Sequence, residues 1–169
     1  MHTSNTGACL FAALLTLSLG STGFAQELAD YLEPFEPLLG QTWLSQSSAG
    51  SEFEQLITRW EPILHGRAIR ETLEYPKIGF VREVVYYWDP GQECLAHFGL
   101  TSNGILSRGQ ISIDDRGFTM LGESCMNGQR TQFKHTVELR ADGKIDRIIY
   151  HFIDGSWQRA HDVLTLAPQ

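Results

Sequence analysis

The stretch VVYYWDPGQECLAHFGLTSNGILS, from Val84 to Ser107, holds two tight turns between three extended runs. Val84 to Trp88 is β-branched and aromatic, Asp89-Pro90-Gly91-Gln92 turns the chain, and Cys94 to Thr101 is a second apolar run. Ser102-Asn103-Gly104 turns it again. Asn-Gly between two such runs is a strong hairpin signal, because both central residues of a type I′ turn need positive φ. Three antiparallel strands are therefore readable here.

Working outward, turn signals recur at short intervals. They are Ser48-Ala49-Gly50, His65-Gly66, Tyr75-Pro76-Lys77-Ile78-Gly79, Asp89-Pro90-Gly91, Asn103-Gly104, Asp114-Asp115-Arg116-Gly117, Asn127-Gly128, Asp142-Gly143 and Asp154-Gly155. Nine turns predict ten strands with no helical pattern between them, an all-β antiparallel up-and-down meander. An open sheet of that size leaves two adhesive edges, so closure into a barrel is expected. Before the first strand, Leu28, Tyr31, Leu32, Phe35, Leu38 and Leu39 have helix-like spacing interrupted by Pro34 and Pro37. This reads as a short, broken N-terminal helix resting on the barrel.

The chain of 169 residues fits one domain able to bury a real core. Its 20 acidic residues outnumber 13 basic ones, for a net charge of -7, and no basic stripe is present. Nucleic acid and anionic membranes are thus unfavourable partners. Residues 1–25 contain no Asp, Glu, Lys or Arg and carry an apolar run from Cys9 to Leu19, followed by Gly23-Phe24-Ala25. We read Met1 to Ala25 as a cleaved secretory signal, the run being short for a membrane span. The protein is then expected to be secreted or periplasmic, with residues 26–169 as the barrel domain. Cys94 and Cys125 would lie at opposite ends of parallel strands, roughly 20 Å or more apart at about 3.3 Å per residue. A bridge needs Cα atoms within about 7 Å, so two free thiols are expected.

Side-chain alternation assigns the inner face. Phe133, His135, Val137 and Leu139 form one inward row; Ile105, Ser107, Gly109, Ile111 and Ile113 another. Gly109 marks a bend or a place where something approaches the backbone. The phase of Ile69, Leu73 and Tyr75 sends Glu71 inward, Phe118, Met120, Gly122 and Ser124 share a face, and Cys94, Ala96, Phe98 and Leu100 are read as a further inner row. Val84 to Trp88 and Ile148 to Ile153 are apolar in both phases, which leaves Tyr86 against Tyr87 and Tyr150 against His151 open.

The pattern Leu39-Gly40-Gln41-Thr42-Trp43, then Arg59 to Arg70 (RWEPILHGRAIR), then Tyr87-Trp88-Asp89, Asn103-Gly104 and Asp154-Gly155-Ser156-Trp157, resembles secreted bacterial lipocalin-like domains. The likeness covers nearly all of Gln26 to Leu166. More distantly the chain is similar to nitrobindin-type haem barrels and to the calycins, which implies binding of small apolar molecules. It departs from lipocalins in having two residues between Gly40 and Trp43 and an Arg on its last strand, Arg159 to Leu166, only at the end away from Trp43. The glycine-rich run after the Trp of nitrobindin-type barrels is replaced by Leu44 to Gly50. The resemblance would place an axial haem ligand near His161.

Glu71 and His135 are the ionisable pair that alternation sends inside. A desolvated carboxylate beside an imidazole acquires a perturbed proton affinity, the property of acid–base catalysts, while a hydrogen-bonded polar pair is the plainer alternative. No Gly-x-Ser-x-Gly, phosphate loop or Cys-x-x-Cys occurs, and the histidines show no metal-ligand spacing. Aromatic residues Phe53, Phe98, Phe118, Phe133, Tyr86 and Tyr87 are of the kind that line a ligand cavity. The expected function is binding of one small apolar or amphipathic molecule by Glu71, Tyr86, Phe98, Ser107, Met120, Phe133 and His135. The alternatives are an isomerase- or lyase-type enzyme using Glu71 or His135 as proton carrier, and a haem or nitric-oxide carrier. Neither a cofactor nor an oligomeric state can be read from the sequence.

Overall fold

The structure, a computed structural model, describes residues 27–46, 55–160 and 163–169. The segment expected to be a signal, the Ser48–Gly50 turn, Phe53 and His161 lie outside the described residues. The strands are β1 (Thr42–Gln46), β2 (Gln55–Ile63), β3 (Ala68–Tyr75), β4 (Phe80–Asp89), β5 (Cys94–Thr101), β6 (Leu106–Asp114), β7 (Gly117–Met126), β8 (Gln129–Leu139), β9 (Ile145–Ile153), β10 (Ser156–Arg159) and β11 (Leu164–Pro168). Each of the first nine pairs antiparallel with the next along the sheet except that β9 pairs on its far side with both β10 and β11. β10 follows the second half of β9 and β11 the first half, and β11 then pairs with β1. Counting β10 and β11 as one interrupted stave, the result is a closed, ten-strand up-and-down barrel. Among the described residues no helix is long and apolar enough to cross a membrane.

One end of this barrel is stoppered by a 3₁₀ helix, Asp30–Leu38. Leu32, Phe35 and Leu38 stand three residues apart, which suits a helix of three residues per turn, and all three are buried on one face. Pro34 and Pro37, which lack an N–H to donate, fall on the other side of the same helix. Phe35 meets Phe118 at 4.8 Å and Tyr86 at 5.2 Å between ring centroids. The Trp43 indole donates to the Leu38 carbonyl at 3.0 Å, and the Ala29 amide to the Gly66 carbonyl at 3.0 Å. Gly66 is required there, since a Cβ would lie 2.0 Å from the Glu27 carbonyl oxygen and its φ is +75°.

The inner rows of β3, β6, β7 and β8 follow the expected alternation except at the strand ends, where Ile113 and Leu139 are exposed, and Tyr86 is the inward tyrosine of β4. His151 takes the inward phase of β9, while Tyr150 faces outward beneath Lys134. Strand β5 runs opposite to expectation. Leu95, His97 and Gly99 face the lumen, whereas Phe98 is 44% and Leu100 50% exposed, and Cys94 and Ala96 share their outward phase. The apolar residues of β5 occupy both phases, so pairing decides: Tyr86 lies opposite His97, and Gly99 opposite Ser107. Cross-strand partners share a face.

Glycines make this phase possible. His97, Gly109, Gly122 and Phe133 occupy one register across β5 to β8. With no side chain on the two middle strands, the His97 and Phe133 rings come together at 5.6 Å, edge to face. A Cβ on Gly109 would sit 2.9 Å from the His97 ring and 2.1 Å from the Leu121 carbonyl oxygen. The groups that approach Gly109 are therefore the β7 backbone, most closely, and the His97 ring. Cys94 and Cys125 are free thiols.

Candidate functional site

Across the middle of the barrel lies a layer of polar side chains from five strands: Thr58 on β2, Glu71 on β3, Tyr86 on β4, His135 on β8 and Arg147 on β9. All are shut off from solvent. Arg147 reaches across the lumen and donates from Nη1 to Glu71 Oε1 and to Thr58 Oγ1, the latter at 3.3 Å. Its Nε donates to His135 Nε2 at 3.3 Å, which requires a lone pair on that nitrogen and thus a neutral imidazole. The Tyr86 hydroxyl donates to Glu71 Oε2. Arg147 also lies over the Trp60 ring, 5.6 Å from its centroid, and Trp60 meets Trp43 edge to face at 6.2 Å. A guanidinium does meet an indole inside this barrel, then, but it comes from β9 and rests on the tryptophan of β2.

The electrostatics follow from this geometry. Burial by itself would raise the Glu71 pKa, but the guanidiniums of Arg147 and Arg82, with the Tyr86 hydroxyl, hold it below the ordinary carboxylate value. Tyr86 is pushed well above the usual phenol value, first by burial and then by the Glu71 charge. His97 is lowered to about 4 by burial and by the nearby Arg82 charge, with Glu71 opposing. Neither of its ring nitrogens has a hydrogen-bond partner among the described residues.

Beyond this layer, away from the 3₁₀ helix, the barrel is hollow. A cavity of about 310 Å³ is lined by Phe80, Arg82, Thr101, Ile105, Ser107, Ser124, Phe133, His135, Ile149, His151 and Ala160. Mostly apolar walls with a few converging polar groups are the usual make-up of a small-molecule site. A larger recess, about 630 Å³, lies on the outer wall among Tyr87, Gln92, Arg108, Gln110, Glu123, Gln132 and Trp157. Ala96, His97, Gly109, Leu121 and Gly122 complete its lining, which is divided about evenly between polar and apolar surface. The lumenal cavity is predominantly apolar and is the better match to a site for an apolar molecule.

Of the residues singled out in the sequence, Glu71, Tyr86, Ser107, Met120, Phe133 and His135 point into the barrel. Glu71 and His135 are brought together through Arg147 rather than in direct contact. Ser107, Phe133 and His135 border the cavity, while Glu71, Tyr86 and Met120 lie in the packed interior. Phe98 is displaced from the set because it stands on the outer face of β5. Alternation missed Arg82, His97 and Arg147. The usable signal was Glu71 itself: an inward carboxylate needs a cation, and basic residues on strands of ambiguous phase were the candidates. No protein-family model and no curated protein matches the chain. The closed antiparallel barrel is consistent with a lipocalin-like architecture.

Proposed function

We propose that this chain is a binding protein that takes one small, predominantly apolar molecule into the open half of its barrel, and that it works outside the cytoplasm. The observation that carries the reading is the cavity of about 310 Å³ lined by Phe80, Ile105, Phe133 and Ile149 with a few polar groups among them. It stands at the lower end of the roughly 300–1,000 Å³ typical of small-molecule sites. The composition of residues 1–25 supports export.

Proton transfer by Glu71 or His135 has less support. Both Glu71 oxygens accept hydrogen bonds and its carboxylate is held ionised, which makes it a weak base. The His135 Nε2 lone pair is occupied by Arg147. Titration of the purified protein with the neutral fluorophore 1-aminoanthracene tests the binding reading. Saturable uptake of one molecule per chain, with a blue-shifted emission, is the expected result; absence of saturable uptake would overturn it.

A further inference from the structure

We infer that the molecule accommodated by the barrel is a monoanion, a compact apolar body bearing one carboxylate that pairs with the Arg82 guanidinium. This rests on the cavity reading above and adds the chemistry of its occupant.

The argument begins with a charge count. The inward rows of β3, β4 and β9 carry two guanidiniums, Arg82 and Arg147, against one carboxylate, Glu71. That carboxylate is already committed, with Oε1 to Arg147 and Oε2 to Tyr86. Arg147 is committed in turn to Glu71, Thr58 and His135. Arg82 shares the inward phase of Val84 and Tyr86, borders the cavity, and makes no side-chain hydrogen bond or ion pair among the described residues. Burial lowers its proton affinity, opposed by the Glu71 charge at longer range. Arg82 is half-buried and its guanidinium opens onto the cavity. A partly desolvated guanidinium without a partner favours an anion that enters from outside. His151 Nδ1, also on the cavity wall, has no hydrogen-bond partner among the described residues.

Head group and body follow from the lining. A carboxylate matches the planar fork of Arg bidentately, and one negative charge closes the balance that Glu71 leaves open. The Phe80 and Phe133 rings suit a flat apolar body, and the volume of about 310 Å³ suits one or two fused rings.

Isothermal titration of the wild type and of Arg82→Gln with 2-naphthoate and with 2-naphthalenemethanol provides the test, the two probes differing only in the head group. The wild type should bind the naphthoate about tenfold more tightly than the alcohol, and Arg82→Gln should bind both within about twofold. Equal affinities in the wild type, or a preference that survives Arg82→Gln, would overturn the monoanion inference and leave the cavity reading standing. Failure of both naphthalene probes and of 1-aminoanthracene to bind would overturn both. Should Arg82→Gln not fold, the Arg82 Nε–H resonance of the wild type decides. A shift with naphthoate but not with the alcohol supports the pairing, and an unmoved resonance refutes it.

Discussion

The two ends of the barrel are built from the same strands and differ in what fills them. At the end covered by the 3₁₀ helix, Leu32, Phe35, Leu38, Trp43, Phe118, Val137, Ile145 and Leu166 pack with almost no exposed surface. At the opposite end, Phe80, Thr101, Ile105, Ser124, Ile149 and His151 keep part of their surface open around a hollow. The polar layer of Thr58, Glu71, Tyr86, His135 and Arg147 separates them. Apolar packing at one end supplies the stability that lets the other remain under-filled, a common bargain in proteins that hold ligands.

Substitutions can break this comparison, and the layer between the halves should be the most sensitive place. Arg147→Met leaves Glu71 buried without its cation and should cost about 3–5 kcal/mol in urea denaturation. Glu71→Gln combined with Arg147→Met should recover a large part of that loss, because no charge is then stranded. Next in size comes the stopper: Phe35→Ala should cost about 3–4 kcal/mol, against about 1–2 kcal/mol for Phe80→Ala, whose ring is already partly exposed at the open end. Similar costs at both positions would mean that the halves are equally packed.

Acid should act through two residues. His97 is neutral in the fold down to about pH 4, whereas in the unfolded chain it takes up a proton near 6.5. Stability contributed by the neutral ring is complete above pH 6.5 and declines by up to about 3 kcal/mol as pH falls towards 4. Glu71 adds a loss that begins lower, as pH falls through the ordinary carboxylate value of 4.5 towards its depressed folded value. His97→Leu should flatten the first part of the profile and leave the second. The smallest effect is expected outside the barrel wall, where Arg59 pairs with Glu74 at 3.2 Å with both side chains exposed to water. Arg59→Ala should change stability by no more than about 1 kcal/mol.

How much of this was legible in the sequence depended on whether one strand face was clearly apolar. Gly and Asn-Gly turns and the clean alternation of Phe133, His135 and Val137 were enough for the meander, its closure and the inward course of Glu71 and His135. Strand β5 was misread because Leu95 competes with Phe98 and Leu100, and only the pairing of His97 with Tyr86 on one side and Gly109 on the other settles its phase. The glycine pair was a legible clue with an unread meaning. Empty positions at Gly109 and Gly122 call for a large inward residue on a neighbouring strand, and His97 is that residue. Arg82 and Arg147 sit on strands with apolar residues on both faces, so local pattern carried no information about them. Their inward course follows from register around a closed barrel, which is a non-local property.

The central claim, that the open half is a usable cavity over a closed core, is tested most directly by filling it. Ser124 is on the inward phase of β7 at the cavity wall, opposite Ser107. Ser124→Trp should abolish 1-aminoanthracene uptake while the thermal melt stays cooperative with a midpoint close to that of the wild type. Unchanged uptake by a folded Ser124→Trp protein would contradict the account.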